Sequence, residues 1–550
     1  MRQLADRLKS LTLSEANCLL EEICGIVTFF EADEDKQRFA DRYSDGDSLV
    51  CEDRVCYGDW QTPETLAEGV CRKFKNLFGS PDIIVEPTCG RGNFVLAALE
   101  IFPTAKEIHT IEINKTYTDE LKIRILERFL YSGCRSNTKL YINTGNFFDF
   151  DLESLKTRFA GRKVAIIGNP PWVTNSRLGA EDSDNLPVKR NTDKRRGIEA
   201  ITGKSNFDIS ESVTLRILEL VAGENCGIAL LLKNSVIRNL VIRQFSPGLG
   251  VSMFRQEEID AKKEFGVSVS ASCMFASVGL TNALCCQVMD FYSGHLRQTY
   301  GWCGTRFVAD VDSYCSVESF DGVSPYEWRS GVKHDCSAVM ELEEKGGMLI
   351  NGLGEVVDIE TLFVYPLLKS SDIGKYTDKI RKYVIITQRF VGEDTRLIAE
   401  RAPLTYRYLV DHFSYFDKRK SSIYKGKKSF SIFGIGEYSF RPYKIVVSSL
   451  YRDVEFRMIE PVNGKPVMVD DTCYQIGFDS KEECAETFNL LNSKEVKSLI
   501  NALVFRDSKR VVTRELLKRI DLDKIAAKYD TSYIVRYRKE YPAPVQGTLF

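Results

Sequence analysis

Short apolar runs alternate with amphipathic stretches from about residue 51 to residue 290, and this alternation dominates the chain. Ile83-Ile84-Val85 precedes a helix predicted from Asn93, and the run 108–111 precedes a helix through Leu121, Ile125 and Phe129. Further strand-like runs lie at 140–142, 164–167 and 228–232. Strands alternating with helices predict a mostly parallel, doubly wound α/β sheet. Residues 1–50 differ: Leu4, Leu8, Leu11, then Leu19, Leu20 and Ile23 fall on helical spacing, followed by an acidic polar stretch. Beyond about residue 293 the pattern is irregular, rich in aromatics and basic clusters, without internal repeats. The expected organisation is a helical N-terminal extension over 1–50, an α/β domain over 51–292 and a mixed α+β domain over 293–550.

Composition narrows the class. With 550 residues, 43% hydrophobic and 28% charged, the chain is an ordinary globular protein of several domains, not a disordered or fibrous one. Lys+Arg number 75 against 77 Asp+Glu, so any affinity for nucleic acid must come from local basic patches. The 16 cysteines are scattered, with no CxxC pair and no signal-peptide pattern, which points to free thiols in a reducing cytoplasm. The uncharged segment 265–289 is long enough to cross a bilayer. Its Ser, Thr, Asn and Gln content and its break at 279–282 read instead as two buried strands joined by a turn, with vicinal Cys285-Cys286 in the second.

Three places carry chemistry. Val85-Glu86-Pro87-Thr88-Cys89-Gly90-Arg91-Gly92-Asn93 runs from a strand through a glycine turn into a helix, where doubly wound folds bind nucleotide-like ligands. The spacing matches neither a dinucleotide GxGxxG nor a phosphate loop. Glu112 ends the next strand, where a carboxylate can accept both hydroxyls of a ribose. Gly168-Asn169-Pro170-Pro171-Trp172 follows the strand 164–167. The Asn169 carboxamide oxygen and the Pro170 carbonyl can accept both hydrogens of one exocyclic amine, and Trp172 offers a surface for the ring that bears it.

In this order the motifs resemble the gamma-class adenine-N6 DNA methyltransferases of bacterial restriction–modification systems. Gln61-Thr62-Pro63-Glu64 resembles the family's motif beside the methionine part of S-adenosylmethionine (SAM); Glu86, Pro87, Cys89, Gly90 and Gly92 match its glycine loop, and Glu112 its ribose carboxylate. Gly145-Asn146-Phe147-Phe148-Asp149 resembles the segment that meets the cofactor's adenine, with Asn146 where the family usually carries Asp and Phe147 as the packing residue. Asn169, Pro170, Pro171 and Trp172 match the catalytic tetrapeptide, with Asn169 also facing the cofactor. Ser205-Asn206-Phe207-Asp208 and Cys226-Gly227-Ile228-Ala229-Leu230-Leu231-Leu232-Lys233 are similar to the following helix and strand, and Phe265 leads the motif that sandwiches an extruded adenine.

The resemblance implies a SAM-dependent methyltransferase sheet followed by a target-recognition domain. The implied reaction moves the methyl of SAM to the N6 amine of an adenine flipped out of duplex DNA, with no metal. Base capture would need phosphate contacts. Lys189, Arg190, Lys194, Arg195 and Arg196 form one candidate patch, and Lys418, Arg419, Lys420, Lys425, Lys427 and Lys428, interleaved with aromatics, form another. No nuclease constellation is evident, so a separate cognate restriction endonuclease or defence-system subunit is the expected partner, and nucleoid-associated cytoplasm the expected location. RNA and protein-glutamine methyltransferases also use an Asn-Pro-Pro-aromatic site, but the long aromatic and basic C-terminal half favours duplex DNA. A DNA-binding subunit with a vestigial cofactor fold is the non-enzymatic alternative, opposed by intact Gly90, Gly92, Glu112 and Asn169.

Overall fold

The computed structural model describes residues 1–45, 60–173, 208–246, 248–375, 380–508 and 510–529. The chain forms two compact units, Met1–Phe307 and Val308–Phe550.

The first unit is built on one twisted sheet. Its strands are β1 (Ile83–Glu86), β2 (Glu107–Glu112), β3 (Lys139–Thr144), β4 (Val164–Gly168), β5 (Cys226–Lys233), β6 (Val251–Ile259), β7 (Ala271–Val278), β8 (Cys285–Asp290), β9 (Leu296–Cys303) and β10 (Arg306–Val308). Their spatial order is β3-β2-β1-β4-β5-β7-β6-β8-β9-β10, with the boundary between the units falling inside β10. From β3 to β5 in this order all neighbours are parallel, and the near-continuous apolar runs of β1, β4 and β5 fit their burial on both faces. β7 is antiparallel to both β5 and β6. The chain reverses direction across the sheet between β1 and β4, and the crevice at their carboxyl ends is where such folds place ligands.

Local chemistry sets the element ends. Asn114 caps the helix Lys115–Ser132 by accepting from the Thr116 N–H at 3.0 Å, and Gly133 stops that helix in the left-handed region. Thr12 and Glu15 form a reciprocal capping box at the start of the helix Leu13–Cys24.

Two features extend the sequence expectations. The helices Arg2–Lys9, Leu13–Cys24 and Asp33–Asp45 pack into the main core, with Leu4, Leu8, Leu20 and Ile26 buried alongside Ile108, Leu121 and Leu140. The Leu140 N–H donates to the Gly25 carbonyl at 2.7 Å, so this extension seals the outer edge of the sheet at β3. At the other end the first unit runs past residue 292, because β9 pairs along β8 and carries the sheet onward. The uncharged segment 265–289 does form two strands, β7 and β8, but β6 lies between them. Cys286 is buried in β8, and its thiol is pushed up to about 12 by that burial. Among the described residues no helix is long and apolar enough to cross a membrane.

The second unit holds two sheets among short helices. One places Arg329–Ser330, Cys473–Phe478, Tyr443–Ser448 and Phe456–Ile459 side by side. The other runs Met348–Asn351, Glu341–Lys345, Lys382–Ile385, Val364–Leu368 and Met468–Val469.

Candidate active site

The carboxyl ends of β1, β2 and β4 bring the glycine loop, Glu112 and Asn169 to one edge of the sheet. Both loop glycines hold left-handed backbone, with φ of 52° at Gly90 and 78° at Gly92. A Cβ on Gly90 would lie 2.8 Å from the Gln61 side chain, and one on Gly92 2.1 Å from Leu121 Cδ1. The loop is therefore closely packed against Gln61 and Leu121.

Glu112 fastens this loop. Its Oε2 accepts from the Gly90 N–H and its Oε1 from the Asn114 N–H, both at 2.8 Å. The segment 60–64 braces the same loop from the other side. Gln61 Oε1 accepts from the Arg91 N–H at 3.0 Å, and the Thr62 carbonyl accepts from Asn93 Nδ2 at 2.6 Å. Arg124 spans both pieces, donating to the Arg91 carbonyl at 2.6 Å and to Glu64 at 2.8 Å. Pro63 starts the helix Glu64–Phe78 that carries this brace.

Glu86, at the end of β1, is fully buried, and its Oε2 has no hydrogen-bond partner. Burial, reinforced by the nearby Glu112 charge, pushes its carboxyl well above the ordinary carboxylate range. Cys89 is pushed up for the same reasons, so its thiol stays protonated and is a poor nucleophile.

Asn169 is placed with care. Its Nδ2 donates to the Trp60 carbonyl at 3.0 Å, which fixes the orientation of the carboxamide. Its Oδ1 is buried and has no partner. A buried acceptor without a donor normally costs stability. The Asn169 carbonyl accepts from Thr88 Oγ1 at 3.5 Å, linking the tetrapeptide to the loop after β1. Pro170 is buried and Pro171 half-buried.

Trp172 is buried, and its indole N–H donates to the Leu231 carbonyl at 3.1 Å. Its ring meets Phe265 edge to face, with centroids 5.2 Å apart at 69°. The two expected clamp residues thus touch each other, and a base stacked between their faces requires one of them to move. Lys233, at the end of β5, donates to the Trp172 carbonyl at 2.9 Å and to Asp208 at 2.6 Å. Because Trp172 is a core residue as well as a candidate stacking surface, Trp172→Ala should destabilise the fold by about 3–5 kcal/mol. Trp172→Phe should cost less, about 1–3 kcal/mol, for the unmatched Leu231 carbonyl. Denaturant unfolding of both variants measures the difference.

Gly145 joins the site through its N–H, which donates to the Glu112 carbonyl at 2.8 Å. Asn146 Oδ1 accepts locally from the Phe148 N–H at 3.0 Å, and Phe147 is buried against Phe148 and Arg216. Of the basic candidates, Lys189, Arg190, Lys194, Arg195 and Arg196 lie outside the described residues, as do Ser205, Asn206 and Phe207. Lys418, Lys420, Lys425, Lys427 and Lys428 are exposed in the second unit. Arg419 differs from its neighbours. Its guanidinium donates to the carbonyls of Phe416, Ser429 and Ser431 at 2.8–3.0 Å and lies 3.8 Å from the Tyr424 ring centroid, so it holds this loop together.

Three contributors escaped the sequence reading. Trp60 acts through a backbone carbonyl, which has no side-chain signature. Arg124 sits mid-helix and reads as a solvated charge. Lys233 reads as the polar end of a strand, although its sequence distance from Asp208 and Trp172 closes only in the fold.

No family model matches the chain. It is 40% identical over 475 residues to the type II methyltransferase M.NspV of Nostoc sp. (strain ATCC 29411 / PCC 7524), covering 86% of this chain and 97% of that relative. Among solved structures, the type IIL restriction–modification enzyme MmeI in complex with DNA aligns over 88% of this chain and 68% of its own, with a TM-score of 0.50 and 13% identity. That likeness is one of fold. The length and identity of the match to M.NspV carry the assignment further: the chain belongs to the type II DNA methyltransferases of restriction–modification systems, whose methyl donor is S-adenosylmethionine.

Proposed function

We propose that the protein is a gamma-class, adenine-specific methyltransferase that modifies the N6 amine of an adenine extruded from duplex DNA. The observation that carries this reading is the Asn169 carboxamide, its Nδ2 tied to the Trp60 carbonyl and its Oδ1 buried and unmatched. Such a group suits an N–H donor that arrives with the substrate.

The residues at the crevice fit SAM. Two left-handed glycines shape the turn after β1, the Glu112 carboxylate is tied to it through the Gly90 N–H, and the buried Glu86 Oε2 at the end of β1 has no hydrogen-bond partner. Gly90, Gly92 and Glu112 would hold the cofactor's nucleoside, Thr62 and Pro63 its methionine end, and Phe147 its adenine. When bound, SAM supplies an electrophilic methyl. This chain's own residues prepare the acceptor. An adenine amine is a weak nucleophile because its lone pair is delocalised into the ring. Asn169 Oδ1 and the Pro170 carbonyl, accepting one N6 hydrogen each, favour a more tetrahedral nitrogen with a localised pair. They are held rigid by two prolines and cost no reorganisation. The protonated Cys89 takes no covalent part.

Digestion of DNA methylated by the protein, with mass spectrometry of the nucleosides, tests the assignment. N6-methyladenine is the expected product; N4-methylcytosine would keep the amine chemistry and overturn the adenine specificity. Long-read sequencing of DNA from expressing cells gives the recognition sequence. We further propose that modification shields those sites in the cytoplasm from a separate cognate endonuclease.

The second unit would supply phosphate contacts from Lys418, Lys420, Lys425, Lys427 and Lys428. Replacing the five with Ala should lower the slope of log affinity against log salt by roughly 0.9 for each lost contact. Arg419 is left out of the set because its donors are spent on its own loop. A wild-type slope in the five-fold variant would move the DNA contacts elsewhere.

A further inference from the structure

Lys233 joins two parts of the chain that are far apart in sequence. Its ammonium contacts the Trp172 carbonyl at 2.9 Å and the Asp208 carboxylate at 2.6 Å. The Ile209 N–H donates to the Val173 carbonyl at 2.9 Å, so the residues beside Asp208 and beside Trp172 are also joined through their backbones. Asp208 is itself anchored, since it caps the helix Ile209–Leu220 by accepting from the Ser210 N–H at 3.1 Å and from Ser210 Oγ at 2.6 Å. Two residues before Lys233, the Leu231 carbonyl takes the indole N–H of Trp172. β5 therefore grips Trp172 twice, by its ring through Leu231 and by its backbone through Lys233.

We infer that Lys233 is a positioning residue for methyl transfer: by holding the Trp172 carbonyl it keeps the Asn169 and Pro170 acceptors in register with the sheet. The inference rests on the reading in which residues 169–172 are catalytic. Only 22% of the Lys233 side chain and 9% of the Asp208 side chain are exposed, so water substitutes poorly for either partner. Acceptors that must meet two hydrogens on one nitrogen tolerate little displacement, and a shift of about 1 Å commonly costs about 10²-fold in rate. The lysine touches no reacting atom. It acts by fixing the path of the tetrapeptide.

Three variants separate positioning from simple charge pairing: Lys233→Met, Asp208→Asn and the two combined. Asp208→Asn keeps the helix cap through its amide oxygen but turns an NH2 group toward the Lys233 ammonium; the bond to the Trp172 carbonyl remains, so its single-turnover rate should fall far less than that of Lys233→Met. Lys233→Met and the double variant should both lose about 10²-fold in single-turnover rate, with SAM affinity by calorimetry little changed. The double variant carries no unpaired buried charge, so it keeps the test valid if Lys233→Met alone folds poorly. A folded double variant that transfers methyl at the wild-type rate would overturn the inference, and so would an Asp208→Asn loss as large as that of Lys233→Met. Asn169→Ala in the same assay distinguishes the two layers. A fast Asn169→Ala removes the catalytic reading of the tetrapeptide; a slow Asn169→Ala beside a fast double variant removes only the role of Lys233.

Discussion

Asn169→Ala is expected to lose methyl transfer by at least about 10²-fold in a single turnover, the usual consequence of removing one oriented hydrogen-bonding group from a reacting centre. The loss should fall on the chemical step. Trp60 would lose a donor to its carbonyl, but the segment 60–64 remains tied to the glycine loop through Gln61 and Thr62. SAM affinity should therefore change little. Asn169→Asp refines the result, since it keeps an acceptor oxygen while losing the Nδ2 donor to Trp60 and placing a carboxylate against that carbonyl. Its rate should fall between wild type and Asn169→Ala. Rapid-quench measurement with saturating DNA and labelled SAM reads the chemical step directly. Transfer at near wild-type rate in Asn169→Ala would remove the tetrapeptide from catalysis.

Much of the first unit was legible because a parallel sheet writes itself plainly. β1, β4 and β5 are buried on both faces, so each is a nearly continuous apolar run ahead of a polar turn. β6 is hidden for the opposite reason. It carries Arg255, Gln256, Glu257 and Glu258 in succession, and only the fold shows how they are accommodated. Glu257 is buried between Lys73 and Arg255, each 2.7 Å away, while Tyr300 donates to Gln256 at 3.0 Å. Charges neutralised by distant partners look like solvent-facing charges in the sequence. The site divides the same way. Gly90, Gly92, Glu112 and Asn169 sit at strand ends, where spacing betrays them. Trp60, Arg124 and Lys233 act across tertiary contacts, through a carbonyl or a cation, and leave no local mark. The first two helices of the extension were legible from their leucine spacing, whereas the helix Asp33–Asp45 lies in a stretch that reads as acidic and polar, and the grip on β3 depends on a backbone bond to Gly25 that no side chain announces.

Glu112→Ala should weaken SAM binding by about 1.5–3 kcal/mol, the range for hydrogen bonds to a charged group. That corresponds to about 10- to 150-fold in dissociation constant. Two losses combine in this number. Each carboxylate oxygen accepts one backbone N–H, from Gly90 or from Asn114, and on the proposed reading also meets a ribose hydroxyl. Removing the side chain releases the Gly90 N–H, loosening the glycine loop, and on the proposed reading also takes away both ribose acceptors. Glu112→Gln helps to sort these effects. One carboxamide oxygen can still serve one backbone donor, but the new NH2 group must face the other backbone N–H, donor against donor. Its binding defect should accordingly approach that of Ala, although its size is almost that of Glu. Calorimetry with SAM gives the affinity, and amide hydrogen exchange over 89–93 reports the loop. Faster exchange with unchanged affinity would make Glu112 a brace for the glycine loop alone. Weaker binding with faster exchange is the expected pairing, because the two oxygens that shape the loop are, on the proposed reading, the same two that meet the ribose.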